Sequence, residues 1–329
     1  MSLYRKNLKQ AVIIAWRHKY LWLFGLFATL MGGGEYEIIT KGLSGDTSNS
    51  LFPNYNRLAE IGLLNKNTFA NLVLILKNNF SEAIIPLLAV IAILVIFIFL
   101  VWLMVVSQTA LVDNSSKIIG GKTDELGFTK GIKAGAKFFW PVVGLNLLMR
   151  AVIYLAFLLI ALPTVLSVGQ ANSPLNSLYV VLFIILIPLA IVFAFIIKYA
   201  ICYVIIKNHS FIQSLHSGWR LFAKNWLVSV EMAFILFLAN FLAGLAILLA
   251  LLILVVPFLF LALILYKLAS LIGFWLVIIV GLIALLALVM LGGAALTTFQ
   301  TVSWTGLFVE LINRGGTSKI VRILDDWRK

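Results

Sequence analysis

The chain has 329 residues, of which 63% are hydrophobic and 11% charged, with a formal net charge of +13. A soluble domain carries roughly 45–50% apolar and about 25% charged residues, and a folded surface of this size needs more polar cover than the composition supplies. A water-soluble fold and a disordered chain are both excluded, which leaves an all-α membrane protein. The single Cys202 rules out a disulfide framework within the chain and any Cys-based metal site. Three histidines (His18, His209, His216) argue against a histidine-rich centre, and no cofactor is expected.

A span needs about 20 mainly apolar residues. In chain order, the candidates are residues 20–33, 83–112, 138–168, 178–197, 226–256 and 271–291 or beyond, about six transmembrane helices. Pro163 and Pro257 are expected to close the third and fifth, and Pro188 to kink the fourth. The stretch PFLFLALILYKLAS, residues 257–270, reads as a surface-lying or re-entrant helix. Residues 271–312 are too long for one straight span, so Gly292–Gly293–Ala294–Ala295 marks a bend or a close helix contact. Residues 1–34 have some features of a cleaved leader, with Gly32 and Gly34 at suitable places. The run AVIIAW makes a poor n-region, and the segment is expected to be kept.

Charge sets the orientation. Of the 25 Lys and Arg, 19 fall on the side of the two termini and 5 on the other, while Arg150 lies in the third span. Acids divide 6 to 5, with Glu231 in the fifth span. The whole +13 excess is therefore on one side, which the positive-inside rule makes cytoplasmic without any call for nucleic acid. The expected location is the cell (inner) membrane of a bacterium, multi-pass, both termini cytoplasmic.

A repeat lies in the cytoplasmic loops. FTKGIKAGAKFF from Phe128 and FIQSLHSGWRLF from Phe211 align at an offset of 83, matching Gly135 with Gly218 and Lys137 with Arg220. LKQAVIIAWRHK is a weaker third copy, with Ala15-Trp16-Arg17 parallel to Gly218-Trp219-Arg220. Phe211, Leu215, Trp219, Phe222 and Trp226 step along one helix face, and Gln213, His216, Arg220 and Lys224 along another. Lys130, Lys133 and Lys137 repeat that basic stripe. Aromatic residues opposite cations describe a helix lying in the membrane interface, the alternative being a plain extension of the next span. The fold expected is three parallel repeats of an interfacial amphipathic helix plus two spans: residues 1–112 with an outer insertion at 35–81, then 113–206, then 207–312, with a tail at 313–329. Within the insertion, 57–78 is expected to be helical.

Arg150 and Glu231 are the strongly charged residues deep in the spans. A mid-bilayer charge costs about 2.5–3.5 kcal/mol on insertion scales, so an ion pair between them is the first hypothesis. It reads either as a polar or anionic-ligand site or as a device fixing helix register. Asn146 and Asn240 are expected to bond helix to helix, and His216 to be a solvated face residue. No HExxH, GxSxG, P-loop or GxGxxG occurs, so no catalytic residues are assigned and an enzyme is not expected.

The segment SLHSGWRLFAKNWLVSV, preceded by FAFIIKYAICYVIIKNHSF, resembles the polytopic membrane domain associated with some bacterial glycerophosphodiester phosphodiesterases and related small stand-alone membrane proteins. The Pro-ended runs LLILVVP and LLIALP belong to the same likeness, which covers residues 124–312. The catalytic barrel of those enzymes has no counterpart here, so the resemblance implies a helical membrane module and no phosphodiesterase activity. Three functions follow: a non-enzymatic module that organises lipid or partner proteins, a permease or lipid transporter using Arg150 and Glu231, or a membrane enzyme. The near absence of polar residues in the spans favours the first. Its partners would be the bilayer and anionic lipid head groups at the cytoplasmic face, with protein partners unknown and a homodimer through Gly292–Ala295 as an option that nothing demands.

Overall fold

The computed structural model describes residues 3–29, 80–122, 126–166, 175–268 and 271–315. These form nine helices, and no strand occurs among the described residues. They are α1 (Leu3–Arg17), α2 (Leu21–Thr29), α3 (Phe80–Ile119), α4 (Phe128–Lys137), α5 (Phe139–Leu166), α6 (Leu175–Lys207), α7 (Phe211–Lys224), α8 (Trp226–Lys267) and α9 (Leu271–Arg314). Five of them, α3, α5, α6, α8 and α9, are long and apolar enough to cross a membrane. Helix is what such sequences must form, because hydrocarbon offers no partner for an unpaired backbone N–H or C=O. The protein is a polytopic all-α membrane protein.

Several element boundaries differ from the sequence reading. Pro257 does not end its span: α8 runs through it to Lys267, so residues 257–267 are neither a re-entrant nor a separate surface helix. Proline deletes one ladder hydrogen bond, and in lipid the groups on either side find no better partner than the helix they already form. Residues 271–312 likewise form one helix rather than a span and a second piece. The Gly292–Ala295 patch is a close contact within the chain. Gly292 faces the Ile247 side chain, where an added Cβ would sit at 2.8 Å, and Gly25 of α2 lies against the Ala294 carbonyl and Thr298. The first expected span is represented by α2, nine residues long or about 13 Å. Residues 35–79 of the insertion expected at 35–81, with the helix expected at 57–78, and most of the tail fall outside the described residues; residues 80 and 81 already belong to α3.

The chain divides into two compact units. One comprises Met1–Gly33, Met104–Met149 and Val192–Lys329. Its core is built from the C-terminal parts of three long helices: Val105–Ser107 and Thr109–Ser115 of α3, Ala194–Ile197 and Tyr199–Cys202 of α6, and Val302–Phe308 of α9. Tyr199 and Phe308 are its largest wholly buried side chains, and Trp304 stands edge-on to Tyr199 with centroids 6.2 Å apart. The other unit, Gly34–Leu103 and Arg150–Ile191, holds the N-terminal parts of α3 and α6 and the C-terminal part of α5. Along α3 every residue from Val90 to Phe99 is exposed, which covers nearly three turns and therefore all sides of the helix. An apolar helix exposed all round is one that lipid covers.

Candidate membrane-surface site

Three short helices carry the cations singled out by the sequence, and each has three faces. The first face is packed against a long helix through small residues. In α4, Gly135 abuts α3 so closely that an added Cβ would lie 2.7 Å from the Val106 carbonyl oxygen, and at Gly131 it would lie 2.6 Å from Asn114 Nδ2. In α7, a Cβ on Gly218 would lie 2.7 Å from the Ile196 carbonyl oxygen and 3.1 Å from Ala200 N, and Ser214 one turn back is fully buried. In α1, Ala11 and Ala15 are buried, Ala11 in a cluster with Val302 of α9. Asn7 donates to the Ser303 carbonyl at 2.9 Å, and its side-chain oxygen occupies the room left by Gly306. Small residues four apart let helix backbones approach closely.

The second face is apolar and uncovered by the chain. Trp219 is 55% exposed and Ile212 76% on α7, Trp16 is 68% on α1, and Trp140 in the first turn of α5 is 79%. The third face is basic. Lys130, Lys133 and Lys137 on α4 and His216, Arg220 and Lys224 on α7 are all exposed, as are Arg5, Lys6, Lys9 and Arg17 on α1. Lys137 donates to Asn208 Oδ1 at 3.3 Å, tying α4 to the turn that opens α7. Asn208 takes a left-handed backbone conformation (φ 55°), which asparagine tolerates better than most residues. Ser210 and Gln213 cap the start of α7.

Each short helix ends in a defined break before the span. Asn225 is buried between α7 and α8 and donates its side-chain amide to the Leu221 carbonyl at 3.1 Å. Trp22 Nε1 donates to the Ala15 carbonyl at 2.8 Å, closing the end of α1. The tryptophan thereby supplies a partner to a carbonyl at the end of α1, and the Leu221 carbonyl accepts from both the backbone and the side chain of Asn225. The aromatic face expected of α7 is divided in the structure: Phe222 is buried, stacked on Phe195 at 5.9 Å, while Trp219 is exposed.

The two deep charges are not equivalently placed. Glu231 is the sixth residue of α8, half-exposed, and accepts a hydrogen bond from the buried Tyr4 hydroxyl of α1. Arg150 is the twelfth residue of α5, half-exposed, and opens the second segment of the other compact unit. Both expected asparagine contacts are present. Asn146 donates to Gln108 Oε1 at 2.8 Å and Asn240 accepts from Gln300 at 2.6 Å, joining α5 to α3 and α8 to α9. The Tyr4 hydroxyl and the small residues at 11, 131 and 214 were not singled out from the sequence. The latter were findable, since Ala11, Gly131 and Ser214 occupy one place in the aligned repeats.

Among the described residues, no group of three or more His, Cys, Asp or Glu could hold a metal ion. Comparison with family models, curated proteins and solved structures returns no match to this chain.

Proposed function

We propose that the chain is a non-enzymatic module of the cell membrane that organises anionic lipid, and proteins bound there, through basic helices held at the cytoplasmic surface. Three parallel units, residues 1–112, 113–206 and 207–312, each provide one such helix and two spans, with both termini cytoplasmic. The resemblance to the membrane domain of glycerophosphodiester phosphodiesterases enters as a likeness of module, with no activity attached. The repeat is supported by Gly135 and Gly218, which stand at the 83-residue offset and each lie against the backbone of a preceding long helix.

The observation that carries the lipid reading is the pairing of exposed Trp219 with exposed Arg220 and Lys224 on a helix whose remaining face is fixed to α6. Such a helix can slide neither into the core nor away from the bilayer, and its tryptophan and cations match the two layers of the interface. Against a permease, 6% to 28% of the residues in the most apolar stretches of the five spans are buried inside the chain. Spans that face lipid this widely do not enclose a path between them, and Arg150 and Glu231 then serve register and docking rather than transport.

Spin-labelled lipids test the reading. The reconstituted protein is expected to immobilise phosphatidylglycerol in preference to phosphatidylcholine. Replacing Lys130, Lys133, Lys137, His216, Arg220 and Lys224 by glutamine should remove most of that preference, each cation being worth about fivefold. Equal immobilisation of both lipids by the unaltered protein sinks the proposal. Aqueous labelling of a cysteine placed at position 150, in a Cys202→Ala chain, would revive the permease.

A further inference from the structure

We propose that α7 docks on anionic lipid under the control of a proton on His216. This rests on the lipid reading above and adds its regulation.

His216 Nε2 lies 3.3 Å from Arg220 Nη2, one turn along the exposed stripe. A guanidinium has donors only, so in this contact the imidazole nitrogen is the acceptor, a role open to the neutral ring that carries its proton on Nδ1. In this state His216 draws the Arg220 head along the helix surface instead of leaving it free to reach outward. Protonation removes the acceptor and sets two cations side by side. The repulsion is relieved when the arginine head swings away from the helix, and an anionic phosphate is the partner that rewards the swing. One proton therefore both adds a charge to the stripe and releases the charge already there.

The surroundings leave His216 open to this exchange. Gln213 and Lys224 are the other members of its stripe, and both are exposed. Across the opposite face, α6 brings Lys198, which lies over the Trp304 ring at 4.8 Å, and Lys207 at its end. Lys137 of α4 is bonded to Asn208, and Glu231 of α8 to Tyr4 of α1. α5 touches α7 through Gly144 against the Phe211 ring. His209 is engaged elsewhere, 3.3 Å from Ser217 Oγ and stacked on Tyr203. An anionic leaflet supplies a negative surface potential of about −30 mV, which draws cations, protons included, to its surface. Histidine ordinarily changes charge between about pH 5 and pH 8, so the device works in a range where cells differ from one condition to another. Ile212 and Trp219, exposed on the same helix, are the apolar groups that deeper docking would bury.

The test uses the full chain in nanodiscs of phosphatidylcholine alone or mixed with phosphatidylglycerol. An environment-sensitive fluorophore is attached through Ile212→Cys in a Cys202→Ala chain, or Cys202→Val if alanine loosens the core. In the mixed discs, lowering the pH across the histidine range should raise the ratio of inserted to withdrawn label about fivefold, the effect of one more cation at an anionic surface. No such rise is expected in phosphatidylcholine, nor in the mixed discs with His216→Gln, and His216→Arg should be inserted at both ends of the range. A rise that survives His216→Gln overturns the proposal. If anionic lipid draws the label in equally at every pH, proton control is wrong while lipid docking stands. If the label ignores lipid charge altogether, both fail.

Discussion

Gly135 and Gly218 are glycines for reasons of space, since an added Cβ would strike backbone atoms of a neighbouring helix, joined at Gly135 by the Val106 side chain. Gly135→Leu or Gly218→Leu must therefore separate two helices, and a loss of about 1–3 kcal/mol or more is expected, read as a lower melting temperature in detergent. Gly244 is the control, because nothing lies within 4 Å of a Cβ placed there. Gly244→Ala should leave stability unchanged or raise it by up to about 1 kcal/mol through helix propensity. His18, in the turn between α1 and α2, offers a pH test. Burial first, and Arg17 second, hold its pKa below the ordinary 6.5. The folded state thus favours neutral His18, and the detached or unfolded chain binds the extra proton. The stability it contributes is present above pH 6.5 and falls away as the pH drops through the lowered value. His18→Gln should flatten the part of the acid-side loss seen in a thermal melt that belongs to this residue.

At the scale of the element, hydrophobic length was readable and helix ends were not. The apolar runs located the five long helices, because lipid enforces helix wherever such a run occurs, but four of them continue past the expected ends, to Ile119, Lys207, Lys267 and Arg314. The same enforcement hid the continuation through Pro257, where soluble-protein logic expected a stop. The asparagines were read correctly for a simple reason, that a side-chain amide within a span must find a partner. Asn240→Ala and Gln300→Ala should each cost about 0.6 kcal/mol, up to about 1.7. A double-mutant cycle should recover most of that as coupling. Tyr4 escaped notice because a tyrosine near a basic segment has no sequence signature for a distant carboxylate. Tyr4→Phe keeps the ring and loses the bond to Glu231, and should loosen α1 from α8. Faster tryptic cleavage at Arg5, Lys6 and Lys9 would register it.

For the whole molecule, composition alone excluded the soluble classes. What composition could not convey was where burial would lie, because apolar residues do not distinguish lipid from protein as a neighbour. The buried core gathers instead where the long helices turn polar. Ser107, Thr109, Asn114 and Ser115 on α3 and Ser303 and Thr305 on α9 are all within it. In a membrane protein such residues mark contact between helices better than leucine does. The charged stripes were legible because alternation at helical spacing survives any tertiary context, whereas the Arg150–Glu231 hypothesis was a guess at distance that a helix-by-helix reading has no means to measure.

The packing of α1 on α9 also sets an order of events during synthesis. Asn7 and the Ser303 it bonds to are 296 residues apart. At about 5–20 residues per second, α1 emerges from the ribosome some 15 to 60 seconds before the helix that holds it exists. A segment that must wait that long needs somewhere to wait, and on the proposed lipid reading its uncovered Trp16, Val12 and Ile13, beside a row of cations, give the nascent chain a face with which to lie on the bilayer until its partner arrives. Chains stopped before residue 300 should carry α1 at the membrane surface, open to protease, with all their other helices in place.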